Sequence, residues 1–486
     1  MEIDETAVSG EIQPTTDRPT PADFDKYLPW ACAQLSAEAD VVVIRSLLKT
    51  YQSSATSERS AKSKKSKPKP SSILTPTSGT DFEEKTSKFD KNLMGADKYI
   101  TVETVYDSLG NLVQLKFLNN IVPIPAKVIK MIGLLIPFQK HLTNITINSG
   151  MHADTIYEIS KYLSSSHITE LCLDGAFIPE ANYDLLLTEC HLKYLSLSKC
   201  KINDTVVKTI VNKLYFTLPA SNSLSALSLA TNGITDVGAK YLADVLRSNR
   251  KLSYLNLADN MIGDEGAMSI LDVLQNFRIT TNELRESRSR YMKYLKIKIE
   301  LVASLITGLN ETEVKKVVKK KNNKTGLRRN RSLDRDITTP RSSMDRGSII
   351  AHEQYLRDRA RSLAEAKLGG FQDPFSLTNT EEKDGCFYCY GNNTLSYLNI
   401  AYNNISHITI KRLYEVLVTQ KYFNRNPRGL VNVVIEGNNL PMLCVELQGI
   451  NNIIGSNLNN IQKATNGTMK KKSVAGKPSG KQSIIS

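Results

Sequence analysis

The sequence predicts an α/β solenoid, with a parallel sheet on its concave side and helices on its convex side. The first observation is a strand motif met twice, 28 residues apart: Leu224-x-x-Leu227-x-Leu229-x-x-Asn232 and Leu252-x-x-Leu255-x-Leu257-x-x-Asn260. The second is that a helical pattern follows each copy. Ile234, Asp236, Gly238, Ala239, Leu242, Val245 and Leu246 are answered by Ile262, Asp264, Gly266, Ala267, Ile270, Val273 and Leu274. Two-residue alternation turns Leu227 and Leu229 to one side of a strand, and the asparagine can serve backbone groups where the chain leaves it. One such unit cannot bury its apolar face alone, so the pattern requires stacked neighbours.

Weaker copies supply them. Upstream copies start at Leu112, Leu142, Ile168 and Leu192, and downstream copies start at Leu395 and Leu430. The step between Leu252 and Leu395 is far too long for one repeat, and subtracting an ordinary unit leaves an insertion of about 115 residues. That insertion must leave the solenoid as a loop, because the sheet continues only if the Leu395 strand pairs beside the Leu252 strand. The expected organisation is a disordered tail over 1–20, a short helical segment over 21–51 and a disordered Lys/Ser/Pro-rich linker over 52–97. Repeats follow over 98–277, the insertion over 278–393, further repeats and a cap over 394–450, and a disordered basic tail over 451–486. Inside the insertion, Leu284, Tyr291, Leu295, Ile299, Val302 and Leu305 give residues 281–309 the spacing of an amphipathic helix. A second helix is expected from about Ile349 to Leu368, with Tyr355, Leu363 and Ala366 as apolar contacts, and a disordered basic stretch lies between the two.

These units are leucine-rich repeats in length and pattern, and their D-x-G-A elements resemble the ribonuclease-inhibitor subfamily. The wider organisation resembles the family of leucine-rich repeat-containing protein 71: eight repeats, a basic insertion between the sixth and seventh, a Lys-rich N-terminal arm, and the closing Ile435-Glu436-Gly437-Asn438-Asn439-Leu440 segment. That resemblance implies a component of motile cilia or flagella, docked in the axoneme.

The net charge of +14 suggests an acidic partner until it is mapped. Residues 61–70 carry +5, residues 315–341 carry +9 and residues 470–481 carry +5, so the rest of the chain is mildly acidic. These segments are rich in Ser, Thr, Pro and Asn and read first as solvated linkers. The sharper alternative is an electrostatic foothold on an acidic polymer, nucleic acid or a microtubule-like filament, carried by Lys315, Lys316, Lys319, Lys320, Lys321, Arg328, Arg329 and Arg331. Without interleaved aromatic residues, base stacking is not expected and nucleic acid is disfavoured. Ser332 and Ser362 follow basic residues as basophilic kinases prefer, and phosphate at Ser332 could order the arginines around it.

Seven cysteines, no apolar run after Met1 and no 18-residue apolar stretch point to a reducing compartment without secretion or membrane insertion. Cytoplasm is expected, with cilium or flagellum by resemblance and nucleus as an alternative. Cys386-x-x-Cys389 lacks the second half-site of a structural zinc centre, so no metal or other cofactor is assigned. No phosphate loop, H-E-x-x-H or dinucleotide fingerprint is present, and no histidine is paired with a nucleophile, which favours a non-enzyme.

What remains for function is the concave face. Alternation places Tyr194, Tyr254 and Tyr397 in one column, with Asn256, Asn399, Glu170 and Asp174 beside them. Tyrosine combines contact area with a polar tip and is enriched where binding energy concentrates. The expected function is a non-catalytic scaffold that binds a protein, axonemal or tubulin-associated if the resemblance holds. The alternatives are a GTPase-activating or regulatory solenoid and a nuclear or nucleic-acid adaptor acting through the basic segments.

Overall fold

The computed structural model describes residues 18–48, 99–322, 346–441 and 444–457. The chain starts with α1 (Phe24–Gln34), which buries Phe24, Leu28, Ala31 and Cys32, and β1 (Asp40–Leu47). β1 runs parallel to β2 (Tyr99–Tyr106), which turns back into antiparallel β3 (Leu112–Phe117). Asp107 shapes that turn by accepting the N–H groups of Leu109 and Asn111. Two expectations are corrected here. The 21–51 segment supplies an edge strand as well as a helix, and residues 99–106 form an antiparallel start to the sheet instead of belonging to a repeat. The β-branched run Val41-Val42-Val43-Ile44 explains the first, since such residues suit a pleated surface.

The repeats follow as α2 (Ala126–Leu135), β4 (Asn144–Ile147), α3 (Ala153–Leu163), β5 (Glu170–Cys172), β6 (Tyr194–Ser196), α4 (Asp204–Asn212), α5 (Pro219–Ser223), β7 (Ala226–Ser228), α6 (Asp236–Leu246), β8 (Tyr254–Asn256) and α7 (Asp264–Asp272). The insertion holds β9 (Phe277–Arg278), α8 (Thr281–Asn322), α9 (Arg346–Leu368), β10 (Thr380–Lys383) and β11 (Cys386–Cys389). The array resumes with β12 (Tyr397–Asn399), α10 (His407–Phe423) and β13 (Asn432–Val434), and a last helix covers 445–457. One ten-stranded sheet runs in the order β1 to β8, then β12 and β13. β8 pairs directly with β12, Leu255 opposite Leu398. Leu115, Ile145, Leu171, Leu195, Leu227, Leu255, Leu398 and Val433 form one buried row across the strands.

Two ladders of polar side chains lock the repeats. Asn232 donates to the carbonyls of Leu197, Leu229 and Ala230 and accepts the N–H groups of Cys200 and Ile202. Asn260 and Asn403 repeat this pattern one and two units on. Cys200 stands in for asparagine in its own repeat, its thiol donating to the Leu173 carbonyl. On the helix side, each repeat's aspartate caps the next helix. Asp204 accepts the N–H groups of Thr235 and Gly238, Asp236 those of Gly263 and Gly266, and Asp264 the N–H and hydroxyl of Ser406. This is the physical content of D-x-G: a Cβ on Gly238 would lie 2.5 Å from Asp204 Oδ1, and one on Gly266 2.6 Å from Asp236 Oδ1.

The insertion is a built structure at both ends. α8 leaves the solenoid and α9 returns antiparallel to it, with Lys298 paired to Glu365 and the Tyr294 hydroxyl donating to the Gly369 carbonyl. The seam on α9 is Leu356, Ala360 and Ala364, four residues apart, while Tyr355 and Leu363 are exposed and Ala366 also faces solvent. The expected contacts on α9 are therefore displaced to a neighbouring stripe: small alanines let the helices approach, and the larger side chains splay outward. On α8, Ile299 and Tyr291 are likewise exposed. At the base, Asp373 accepts from Ser287 and Arg290, and Arg247 pairs with Glu283. β10 and β11 form a hairpin that pairs with β9, a small sheet the sequence pattern did not indicate.

Candidate functional site

The open face of the sheet carries the residues singled out for binding. Register sets Tyr194 opposite Ala226, Ala226 opposite Tyr254, and Tyr254 opposite Tyr397. Tyr254 and Tyr397 stack, with ring centroids 4.2 Å apart and planes 6° from parallel. Tyr194 lies in the same column but is separated from this pair by the small Ala226, so the column is a stacked pair and a single ring, not a continuous row. Strand spacing makes the gap between Tyr194 and Tyr254 about 9.5 Å wide. All three tyrosines are half-buried. Burial, reinforced by Tyr397, pushes the Tyr254 hydroxyl up to about 12, and burial also raises Tyr194, so both stay protonated donors at neutral pH.

Around this column the polar groups are already organised. Gln114 donates to Asn144, and Asn144 donates to Glu170. Asp174 accepts the Ser196 hydroxyl and the Ser198 N–H, Ser198 and Ser228 share a hydrogen bond at 3.0 Å, and Asn256 donates to Ser228. Asn256 and Asn399 each accept the N–H two residues on in their own chain, Ala258 and Ala401. These bonds fix the side chains in advance, so a partner meets a surface whose ordering cost is already met. Ser196 and Ser228 are buried beneath their neighbours, leaving the tyrosines, Asn256, Asn399, Asp174 and the exposed Glu170 to face it. Cys172 also lies on this face, and burial pushes its thiol up to about 12, which keeps it unreactive.

The second group of candidate residues is only partly placed. The backbone through Lys315, Lys316, Lys319, Lys320 and Lys321 continues α8, so these lysines belong to a helix and not to a disordered stretch. The Lys and Glu residues after Leu309, good helix formers, account for the extension. Arg328, Arg329, Arg331 and Ser332 lie outside the described residues. Ser362 is exposed on α9. Cys386 and Cys389 sit three residues apart on one strand, which turns them to opposite faces; Cys389 is buried near Arg250, whose guanidinium donates toward its sulfur at 3.5 Å. Sequence reading missed the clamp of Arg247, Glu283, Arg290 and Asp373, because its members are scattered over more than a hundred residues with no local spacing.

Among the described residues no helix is long and apolar enough to cross a membrane. A family model described as "Leucine Rich repeat" matches residues 188–210, 220–243, 248–271 and 391–406. The last segment matched is the repeat that resumes after the insertion. A comparison with curated proteins finds no match. The chain thus carries leucine-rich repeats over these segments, a fold typically used for non-catalytic protein interaction.

Proposed function

We propose that this chain is a non-catalytic scaffold that captures a protein partner on its concave sheet, and that the gap over Ala226 between Tyr194 and Tyr254 is the principal subsite. The observation that carries the reading is the register Tyr194, Ala226, Tyr254, Tyr397, which leaves two aromatic walls around a small floor. A flat aromatic or guanidinium side chain of the partner fits between such walls, and Glu170 and Asp174 at the neighbouring strand favour the cationic choice.

We further propose that the partner belongs to the axoneme of motile cilia or flagella, where the protein would be docked. This placement rests on the resemblance in organisation: eight repeats, a basic insertion between the sixth and seventh, and the Ile435 to Leu440 closing segment. Proximity labelling in ciliated cells tests it. Structural axonemal neighbours are expected; a set dominated by small GTPases or by nuclear proteins would replace this reading with a regulatory or nuclear one.

A further inference from the structure

Far from the concave face, three metal-ligating side chains of different chemistry converge at the C-terminal end of the array. His407 begins α10, and Cys444 and Glu446 stand at the start of the helix over 445–457. One ligand atom from each, an imidazole nitrogen, the Cys444 sulfur and a Glu446 oxygen, all lie within 4.8 Å of one another. His407 Nε2 is 3.3 Å from Glu446 Oε2. The Cys444 sulfur accepts the Leu447 N–H at 3.4 Å, which fixes its position at the start of the helix.

We propose that His407, Cys444 and Glu446 form a zinc site. Tetrahedral bonds of about 2.0 to 2.3 Å place ligand atoms roughly 3.3 to 3.8 Å apart, so the trio needs only a small contraction to close on an ion. The mixture of sulfur, imidazole and carboxylate selects zinc over magnesium or calcium, which take oxygen. Thiolate and carboxylate balance the two positive charges, and binding releases the thiol proton to solvent. His407 is exposed while Cys444 and Glu446 are half-buried, so the fourth position opens outward to water. The ion would tie the start of the closing helix to α10, beside the close packing of Gly449 on the Tyr414 ring. Sequence spacing could not reveal this, since His407 stands far from Cys444 and no short motif joins them.

The full-length chain, purified without affinity tags that bind metal, is titrated with zinc against a chromophoric chelator and separately with cobalt. One zinc per chain is expected, with cobalt giving a thiolate charge-transfer band and tetrahedral visible bands. Cys444→Ser and His407→Ala should each weaken zinc binding at least about tenfold, while Cys386→Ser, a control for adventitious thiols, leaves it unchanged. No zinc bound by the wild type, no thiolate band with cobalt, or unchanged affinity in Cys444→Ser would show that the cluster is only an ion pair beside a thiol.

Discussion

Asn403 donates its side-chain amide to the backbone carbonyl of Leu257, 2.9 Å away and 146 residues earlier in the chain. The same side chain accepts the Ile262 N–H at 3.1 Å. The asparagine ladder therefore passes straight across the insertion, as it does between Asn232 and Asn260 where no insertion intervenes. Replacing Asn403 by Ala strands the buried Ile262 N–H and removes one of two donors from each of the carbonyls of Leu257, Ile400 and Ala401, which keep Asn260, Asn438 and the Asp259 N–H. That should cost about 1 to 3 kcal/mol, read as a lower midpoint in urea with an unchanged slope. A midpoint equal to the parent's would mean that the ladder contributes nothing across this seam.

The aspartate caps make a second, steric prediction. Gly266→Ala would bring a methyl group to 2.6 Å from Asp236 Oδ1 and 2.8 Å from the Asp236 Cα. Helix propensity alone favours Ala over Gly, so the two effects have opposite signs. The clash should win and destabilise by about 1 to 3 kcal/mol. A stabilised variant would show that the aspartate can move aside.

Cutting the chain tests the continuity of the sheet. With a specific protease site placed between residues 323 and 345, cleavage should leave two fragments that elute together, because β12 covers the edge of β8 and Asp264 caps α10. Fragments that part on a sizing column without denaturant would contradict the pairing.

Acid should loosen the same seam. Burial pushes the Asp264 carboxyl up, but donors from Ser406 and Thr409 outweigh it and hold the group below its ordinary value. Glu283 is opposed by burial in the same way and held low by Arg247 and Thr280. A carboxyl lowered by folding stabilises fully above its unfolded pKa and loses that contribution as pH falls through the folded one. Thermal stability should therefore hold down to about pH 4.5 and decline below it. Asp264→Asn should lower Tm at pH 7 and flatten the acid decline; a curve parallel to the parent's would remove Asp264 from the linkage.

The repeats were legible because their information is local. Leu227 and Leu229 alternate within one strand, and Asn232 acts on carbonyls two and three residues before it. Even the register of Tyr254 with Tyr397 followed from counting units across the insertion. The break in the tyrosine column was also written there, in Ala226, but it becomes visible only once Tyr194 is seen two strands from Tyr254. Elsewhere the pairing is non-local: β1 meets β2 across some fifty intervening residues, and β9 finds β11 across the helical pair. The stripe on α9 was misplaced because its seam uses alanines, whose burial no hydrophobic periodicity announces.

The most direct test of the concave face compares two variants in the same cells by proximity labelling: Tyr194, Tyr254 and Tyr397 replaced together by Ser, and Lys315, Lys316, Lys319, Lys320 and Lys321 replaced together by Gln. Circular dichroism first checks that both retain the parent's fold. Aromatic residues at binding centres typically contribute more than about 2 kcal/mol each, so the tyrosine variant should lose the partner set while the lysine variant keeps it, with at most a weaker salt-sensitive attachment. A tyrosine variant that keeps every partner beside a lysine variant that loses them would contradict the concave-face reading and assign the function to the insertion.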